Sequence, residues 1–451
     1  MSDTAADMLY STPAMAAAFA PRSHLRQMLA FEAALARAEA RAGIIPPAAA
    51  QAIAAACQTL DVDLDVEAIY RDAAVAGTPA ISLVRALTAR VADGGRDYVH
   101  WGATSQDAID TATVLQMRDG LTLLDADLLR LGAACAALAG GHRHTLMAGR
   151  TLLQQALPMP FGLKAARWLG AAMRQVRALR AQQAALALQF GGAVGTLAAL
   201  GTQGLQVAAL LAADLGLLLP DLPWHAERDR VASVAAVLGI TAGTTAKIAQ
   251  DITLLAQSEV SEVAEASAPG KGGSSAMPQK RNPVDATLAL AAARLALGQA
   301  AVLLPGMVQE HERATGGWQA EWVAAPALFR YTAGAVAHVE RCVAGLEVDT
   351  ERMAANLAQD GGLSMAESLA MALAPHLGRP TAQAVVREVC ARAAHDKLSL
   401  RQAALGDPRV RALLTPEGLG EALDPARYLG SASALIDRAL EDYHRVREGQ
   451  D

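Results

Sequence analysis

The sequence predicts an all-α protein built round a bundle of long helices, and three observations carry that expectation. Of its 451 residues 53% are hydrophobic but only 4% aromatic, so the apolar mass is mostly Ala, Leu and Val. Ala and Leu are strong helix formers, and Ala lets helix axes approach closely. Second, segments 106–139, 159–190, 232–266 and 284–302 run on with few Pro or Gly breaks. That exceeds the ordinary helix of about three turns and is the texture of a long-helix bundle. Third, no run of strands joined by hairpin turns is visible, which speaks against a sheet-based fold.

Taken in order, residues 23–43 form an amphipathic helix with Leu25, Met28, Leu29, Phe31, Leu35 and Ala38 near one face. Pro46-Pro47 opens a second helix over 46–60, and a third covers 79–92 after the Gly77-Thr78-Pro79 break. Gly140-Gly141, Gly191-Gly192, Pro220 to Pro223 and the run from Pro269 to Pro278 punctuate the long segments. Beyond about residue 348 the text becomes choppier, with Gly361-Gly362, Gly378-Arg379-Pro380, Asp407-Pro408 and Pro416. The division expected is an N-terminal helical domain over 1–105, a central bundle over 106–347 and a C-terminal helical domain over 348–451. A chain this long does not fit one ordinary core.

The formal net charge is −6 and no long basic run occurs, which argues against a nucleic-acid footprint. Cys57, Cys135, Cys342 and Cys390 show neither metal-ligand nor disulfide spacing and read as reduced, mostly buried thiols. The start, Met1-Ser2-Asp3, has no secretory pattern. Apolar stretch 205–220 is interrupted by Gln206 and Asp214, and 286–308 by Arg294 and Gln299, so neither is expected to cross a membrane. A reducing cytoplasm is the expected compartment. Gly270-Lys271 is not a phosphate loop, because Glu265 and Gly272 stand where Gly and Ser or Thr are needed. Gly272-Gly273-Ser274-Ser275-Ala276 lacks the last Gly of a nucleophile elbow, and His311-Glu312 has no second His at Thr315. No metal and no cofactor are expected.

What remains is the loop 269–283. Gly270, Gly272 and Gly273 give backbone freedom, Ser274 and Ser275 follow, and Lys280 and Asn282 stand just ahead of Pro283 and the helix it opens. Such a loop is an anion cradle: backbone N–H donors, one ammonium and one directed amide.

The string Ser274-Ser275-Ala276-Met277-Pro278-Gln279-Lys280-Arg281-Asn282-Pro283 resembles the signature of the fumarase/aspartase superfamily. His100-Trp101-Gly102-Ala103-Thr104-Ser105-Gln106-Asp107 resembles its first conserved segment. Gly149-Arg150-Thr151 with Gln154, Ala156, Pro158 and Gly162 resembles the second. The resemblance implies three helical domains around a long central helical bundle. It also implies a homotetramer whose active sites each draw the three segments from three subunits. The implied chemistry adds or removes a proton beside a carboxylate through an aci-carboxylate carbanion. By the same resemblance Ser274 is the catalytic serine and Ser275 its neighbour at the substrate. Lys280 and Asn282 bind carboxylate, Thr104 and Ser105 bind the other carboxylate, and Thr151 and Gln154 contact substrate from the second segment.

Two departures narrow the resemblance. Leu152 stands where fumarases and adenylosuccinate lyases carry a histidine, and Thr287 where they carry its glutamate partner. The sequence also resembles the bacterial 3-carboxy-cis,cis-muconate cycloisomerase branch at Trp224-His225-Ala226-Glu227-Arg228-Asp229-Arg230 and from His311 to Trp322. That branch implies lactonisation of a small tricarboxylate, with Arg150, Lys280, Arg281 and Arg313 as candidate counter-charges. His100 and Met277 complete the expected substrate contacts. The alternatives are an adenylosuccinate-type β-elimination and a catalytically silent helical scaffold.

Overall fold

The computed structural model describes residues 7–92, 94–268, 270–273, 276–277 and 279–450. Ser274 and Ser275 lie outside them. Among the described residues eighteen α-helices account for most of the chain, as the composition predicts. Four of the first five α-helices, Pro13–Ala18, Pro21–Arg41, Pro47–Val62 and Pro79–Arg90, begin on a proline, and Val66–Ala76 does not. The fixed φ of proline suits the first helical position, where no N–H is needed. Leu25, Met28, Leu29, Phe31, Leu35 and Ala38 are all buried, so the amphipathic reading of that helix holds.

The long helices are Ser105–Gly141, Phe161–Ala184, Asp229–Leu255, Val284–Leu303 and Gly317–Ala344. The last was not among the expected segments, and it runs through Pro326. Two expected segments are too long. Past Ala184 the backbone turns extended, Leu188 N–H donating to Leu218 O at 2.9 Å and Leu218 N–H to Leu186 O at 3.0 Å. Past Leu255 the chain folds back, Glu262 N–H reaching Leu255 O at 2.9 Å. Val263–Ala264 then pair with Glu347–Val348.

A hairpin was missed altogether. Leu146–Thr151 pairs antiparallel with Gln154–Pro160, with a bulge between Ala148 and Arg150. Gly149 sits in that bulge, where a Cβ would stand 2.8 Å from Leu157 O. The turn is Leu152-Leu153, at φ 51° and 64°. A two-residue turn of that kind normally takes Asn-Gly, so no local signal marked it.

The chain divides into two compact units, neither continuous: Met1–Leu128 with Arg174–Lys247 and Leu288–His338, and Leu129–Met173 with Ile248–Thr287 and Val339–Asp451. All five long helices contribute residues to both. Within the second unit, Met365, Leu369, Leu373, Val385, Val389 and Leu400 belong to a separate apolar core toward the C-terminus.

Among the described residues three helices, Ala198–Leu215, Asp229–Leu255 and Val284–Met307, are long and apolar enough to cross a membrane by length and composition alone, and two of them overlap the stretches 205–220 and 286–308. The physical reason is their Ala content. In Val284–Met307, Ala286, Ala289, Ala292, Ala293 and Ala296 are fully buried, so that apolar stripe is spent on helix packing. Cys57, Cys135 and Cys342 are buried and Cys390 half-buried, all as free thiols.

Candidate active site

The first segment is organised by Asp107. It is the third residue of the Ser105–Gly141 helix and reaches back to the Thr104 N–H at 3.0 Å, a capping arrangement. The same buried carboxylate accepts from Gly191 N–H at 3.0 Å, Gly192 N–H at 2.9 Å, Gln189 Nε2 at 3.2 Å and His225 Nε2 at 2.8 Å. Five donors saturate it, so Thr104 and Ser105 are half-buried on a fixed base. Gln106 also turns inward, donating to Asp110 Oδ2 at 3.0 Å and His225 O at 2.8 Å.

Behind it, Arg228 donates to Asp110 at 2.6 and 3.1 Å and to Glu321, with Nε 3.0 Å from its Oε1. Burial opposes the Arg228 charge, but Asp110 and Glu321 outweigh it and hold its pKa above the ordinary value. Trp318 Nε1 donates to Asp110 at 2.8 Å and Trp224 Nε1 to Leu188 O at 2.9 Å. These tryptophans are therefore core residues. Arg313, an expected counter-charge, donates to Gln106 Oε1 and Ala193 O, both at 3.0 Å. His100 holds Glu32 Oε1 through Nδ1 at 2.6 Å.

The second segment sits on the hairpin. Thr151 and Gln154 are register partners at its end and both are exposed. Leu152 is 97% and Leu153 77% exposed. Arg150, at the hairpin's root, is not a free cation. Its two terminal nitrogens donate to both oxygens of the buried Glu262, at 2.9 and 2.6 Å. Asn356 Nδ2 fixes the same carboxylate at 2.9 Å. A cavity of about 490 Å³ opens here, its lining including Leu152, Leu153, Lys164, Asp251 and Gln257.

The loop is closed at its base. Gly272 O accepts from Asn282 N–H at 3.1 Å and from Asn282 Nδ2 at 3.0 Å. Gly272 has φ 69°, and a Cβ there would stand 2.9 Å from Asn282 O, so only glycine fits. Below, Glu265 accepts the Asp285 and Ala286 N–H groups at 3.1 and 2.8 Å and caps the Val284–Leu303 helix. Lys271 Nζ bridges Glu265 at 3.2 Å and Asp285 at 2.8 Å. Arg281 is committed to Glu265 O at 2.6 Å and Glu347 at 2.9 Å. Met277 and Lys280 are exposed, the Lys280 N–H donating to Met277 O at 3.0 Å. Thr287 donates its hydroxyl to Pro283 O at 2.7 Å.

His100, Thr104, Ser105 and Arg313 thus belong to the first unit, and Arg150, Thr151, Gln154, Met277, Lys280 and Asn282 to the second. Sequence reasoning gave no holding role to the groups that fix them: Glu32, Asp107, Asp110, His225, Glu262, Glu265 and Glu321. One signal was available. Glu32 lies one residue past Phe31 on the helix's apolar face, and a carboxylate there needs a partner.

Residues 8–298 match the family described as lyase, and residues 362–439 the one described as adenylosuccinate lyase C-terminus. A 3-carboxy-cis,cis-muconate cycloisomerase of Bradyrhizobium diazoefficiens is 48% identical over 99% of this chain and 99% of its own length. Another, from Pseudomonas aeruginosa, is 47% identical over 99% of this chain and 98% of its own. The solved structure of 3-carboxy-cis,cis-muconate lactonizing enzyme from Pseudomonas putida matches with a TM-score of 0.91 at 43% identity, over 99% of this chain and 100% of that one.

Proposed function

Since the chain belongs to the fumarase/aspartase superfamily of lyases, we propose that it lactonises 3-carboxy-cis,cis-muconate to 4-carboxymuconolactone, in the protocatechuate branch of aromatic degradation. The observation that carries this reading is the near full-length likeness to two bacterial enzymes of that activity. The site agrees with it. The positions that hold a histidine and a glutamate in fumarases and adenylosuccinate lyases hold Leu152, an apolar side chain at an exposed tip, and Thr287, whose hydroxyl is spent on its own helix.

One carboxylate oxygen of the substrate adds to a conjugated double bond. The electron pair moves to the carbon beside a second carboxylate, giving the aci-carboxylate, and that carbon then takes a proton. Ser274 is the proton-handling residue in this proposal. The loop's N–H groups, Lys280 and Asn282 face the doubly charged carboxyl group. Thr104, Ser105, Thr151, Gln154, Ser275 and Met277 hold the rest of the substrate. No cofactor enters the scheme.

The assembly proposed is a homotetramer with sites shared between subunits. The exposed Leu152, Leu153, Ile240, Leu297, Val302 and Val308 support it, because apolar groups at such exposure gain by burial against another copy. Residues 1–105, 106–347 and 348–451 are proposed as its three domains, supported by the separate C-terminal core. The four free thiols support a reducing cytoplasm.

The test is ultraviolet absorbance of carboxymuconate with purified protein. Loss of the conjugated diene with lactone formed in equal amount is expected. An unchanged diene, with fumarate released from adenylosuccinate, would establish the alternative that the C-terminal family match brings with it. No turnover of either substrate would leave a helical scaffold.

A further inference from the structure

We infer that Glu32 is a positioning residue that keeps His100 an imidazolium, whose Nε2–H binds a carboxylate of the substrate. The inference rests on the reading of this site as one for a tricarboxylate. It begins with an anomaly in the helix Pro21–Arg41, where Glu32 is only 2% exposed, in line with Met28, Leu29 and Leu35. A lone carboxylate there carries a desolvation penalty of several kcal/mol unless it is paired. Its partner is His100, Nδ1 to Oε1 at 2.6 Å, while among the described residues Oε2 has no hydrogen-bond partner, so His100 is the one group that pairs it. That bond commits the Nδ1 proton to Glu32 and leaves Nε2 as the ring nitrogen for a ligand. The His100 side chain keeps 16% exposure. Its backbone is at φ 58°, a conformation a non-glycine residue holds only when its surroundings fix it.

The charges around the ring decide its state. Burial lowers the His100 pKa, but Glu32, in contact, and Asp107, from the Ser105–Gly141 helix, overcome it and leave it above its ordinary 6.5. Glu39, one to two turns along from Glu32, is fully buried, and among the described residues neither of its oxygens has a hydrogen-bond partner. Burial and the Glu32 charge push it up to about 9, so it stays neutral. From the helix Pro47–Val62 comes the Cys57 thiol, pushed up to about 12 by burial and by Glu32, with Arg37 acting the other way. Glu32 is therefore the acid in contact with His100, and the groups behind it, Glu39 and Cys57, are neutral.

A cation here adds to Lys280, which the proposed scheme places at another carboxyl group. Arg150 is paired with Glu262 and Arg281 with Glu347, and the Arg313 guanidinium is held by the neutral oxygens of Gln106 and Ala193. His100 stands four residues before Thr104, in the segment expected to hold a carboxylate.

Glu32→Gln keeps an acceptor for Nδ1–H and removes the charge. The experiment follows ring-labelled histidine by NMR against pH in the full-length protein, with the His100 signal assigned by its loss in His100→Gln. Alongside, calorimetry measures binding of the unreactive propane-1,2,3-tricarboxylate between pH 6 and 9. Expected are a wild-type His100 midpoint above 6.5, a Glu32→Gln midpoint at least about tenfold lower in proton affinity, and affinity about tenfold weaker at pH 7.5 that returns at pH 6. Glu32→Asp should fall between the two, and Glu39→Gln should leave the His100 midpoint in place. With carboxymuconate, Glu32→Gln should raise KM more than it lowers kcat. An unmoved midpoint in Glu32→Gln, or affinity independent of pH in the wild type, overturns the inference. If wild-type protein binds the tricarboxylate with this pH dependence but does not turn over carboxymuconate, the proposed reaction fails and the role of Glu32 stands.

Discussion

Residues 100–107 and the hairpin tip 151–154 are both proposed to touch substrate, yet they are held in opposite ways. The first stretch is tied down by its own chain. Asp107 gathers five donors, Gln106 is bonded on both sides by Asp110 and Arg313, and His100 is gripped by Glu32. The tip has strand pairing and the Arg150–Glu262 ion pair behind it and nothing in front. Two leucines stand out in solvent with backbones in the left-handed region. A surface pre-shaped within the chain reads as a template for one end of the substrate. A strained, bare apolar tip is what the proposed assembly would cover with another copy.

The largest break of this contrast is Asp107→Ala. It leaves the Gly191 and Gly192 N–H groups, Gln189 and His225 without their common acceptor. A loss of about 3–5 kcal/mol is expected, the scale for removing one partner from a buried charged network. Urea unfolding measures it. A loss under about 1 kcal/mol would mean the first segment is no more anchored than the tip.

Ser274→Ala should leave stability untouched and lower turnover by at least two to three decades, roughly the range for one general acid–base group. Mixing it with an inactive Thr104→Val, Ser105→Ala protein sharpens the comparison. If template and loop serve one site from different copies, hybrids regain activity. No regain after verified subunit exchange would count against shared sites.

How much of this was legible follows from where the signals sit. Composition and unbroken helical text were enough for an all-α bundle, because Ala/Leu content is a local property. The resemblance named Thr104, Ser105, Lys280 and Asn282, and their roles at the substrate are proposals. The bonding of the arginines was not legible. Arg150 and Arg313 were named as candidate counter-charges without their partners, because Glu262 is 112 residues and Gln106 207 residues away in the chain. Nor was the hairpin, since Leu-Leu carries none of the turn chemistry that marks one. Asn282 was read as a substrate group, and its amide also clasps Gly272. Tertiary pairing decided each of these, and no local pattern reports it.

The buried acids behind the first segment make its stability depend on pH, whereas the tip holds no titratable group. Glu39 goes from an ordinary value of 4.5 to about 9 in the fold. The folded state therefore keeps a proton that the unfolded state gives up. Stability from this group is fullest below about 4.5 and is lost as pH rises from there to about 9. Glu39→Gln removes that slope and should be more stable than wild type at pH 8, by about 2 kcal/mol. Parallel stability curves for the two proteins between pH 5 and 9 would show that Glu39 is not neutral in the fold.

The smallest effect belongs to the tip and is the most telling. Leu152→Asn with Leu153→Gly gives the turn the residues its positive φ values favour. The strain of a non-glycine residue in that region is of order 1 kcal/mol, and two exposed apolar side chains are removed with it. Thermal unfolding of the isolated subunit, at concentrations too low for assembly, should rise by a few degrees, consistent with about 1 kcal/mol. Turnover should move the other way, with a higher KM for carboxymuconate, because the apolar wall against the diene is gone. A gain in stability paired with a loss in substrate binding is what a strained functional residue produces. If both rise, Leu152 and Leu153 do not face substrate, and the tip's strain serves assembly alone. The contrast between the two regions would then be one of folding against association, with the substrate's apolar middle held by the loop around Met277 instead.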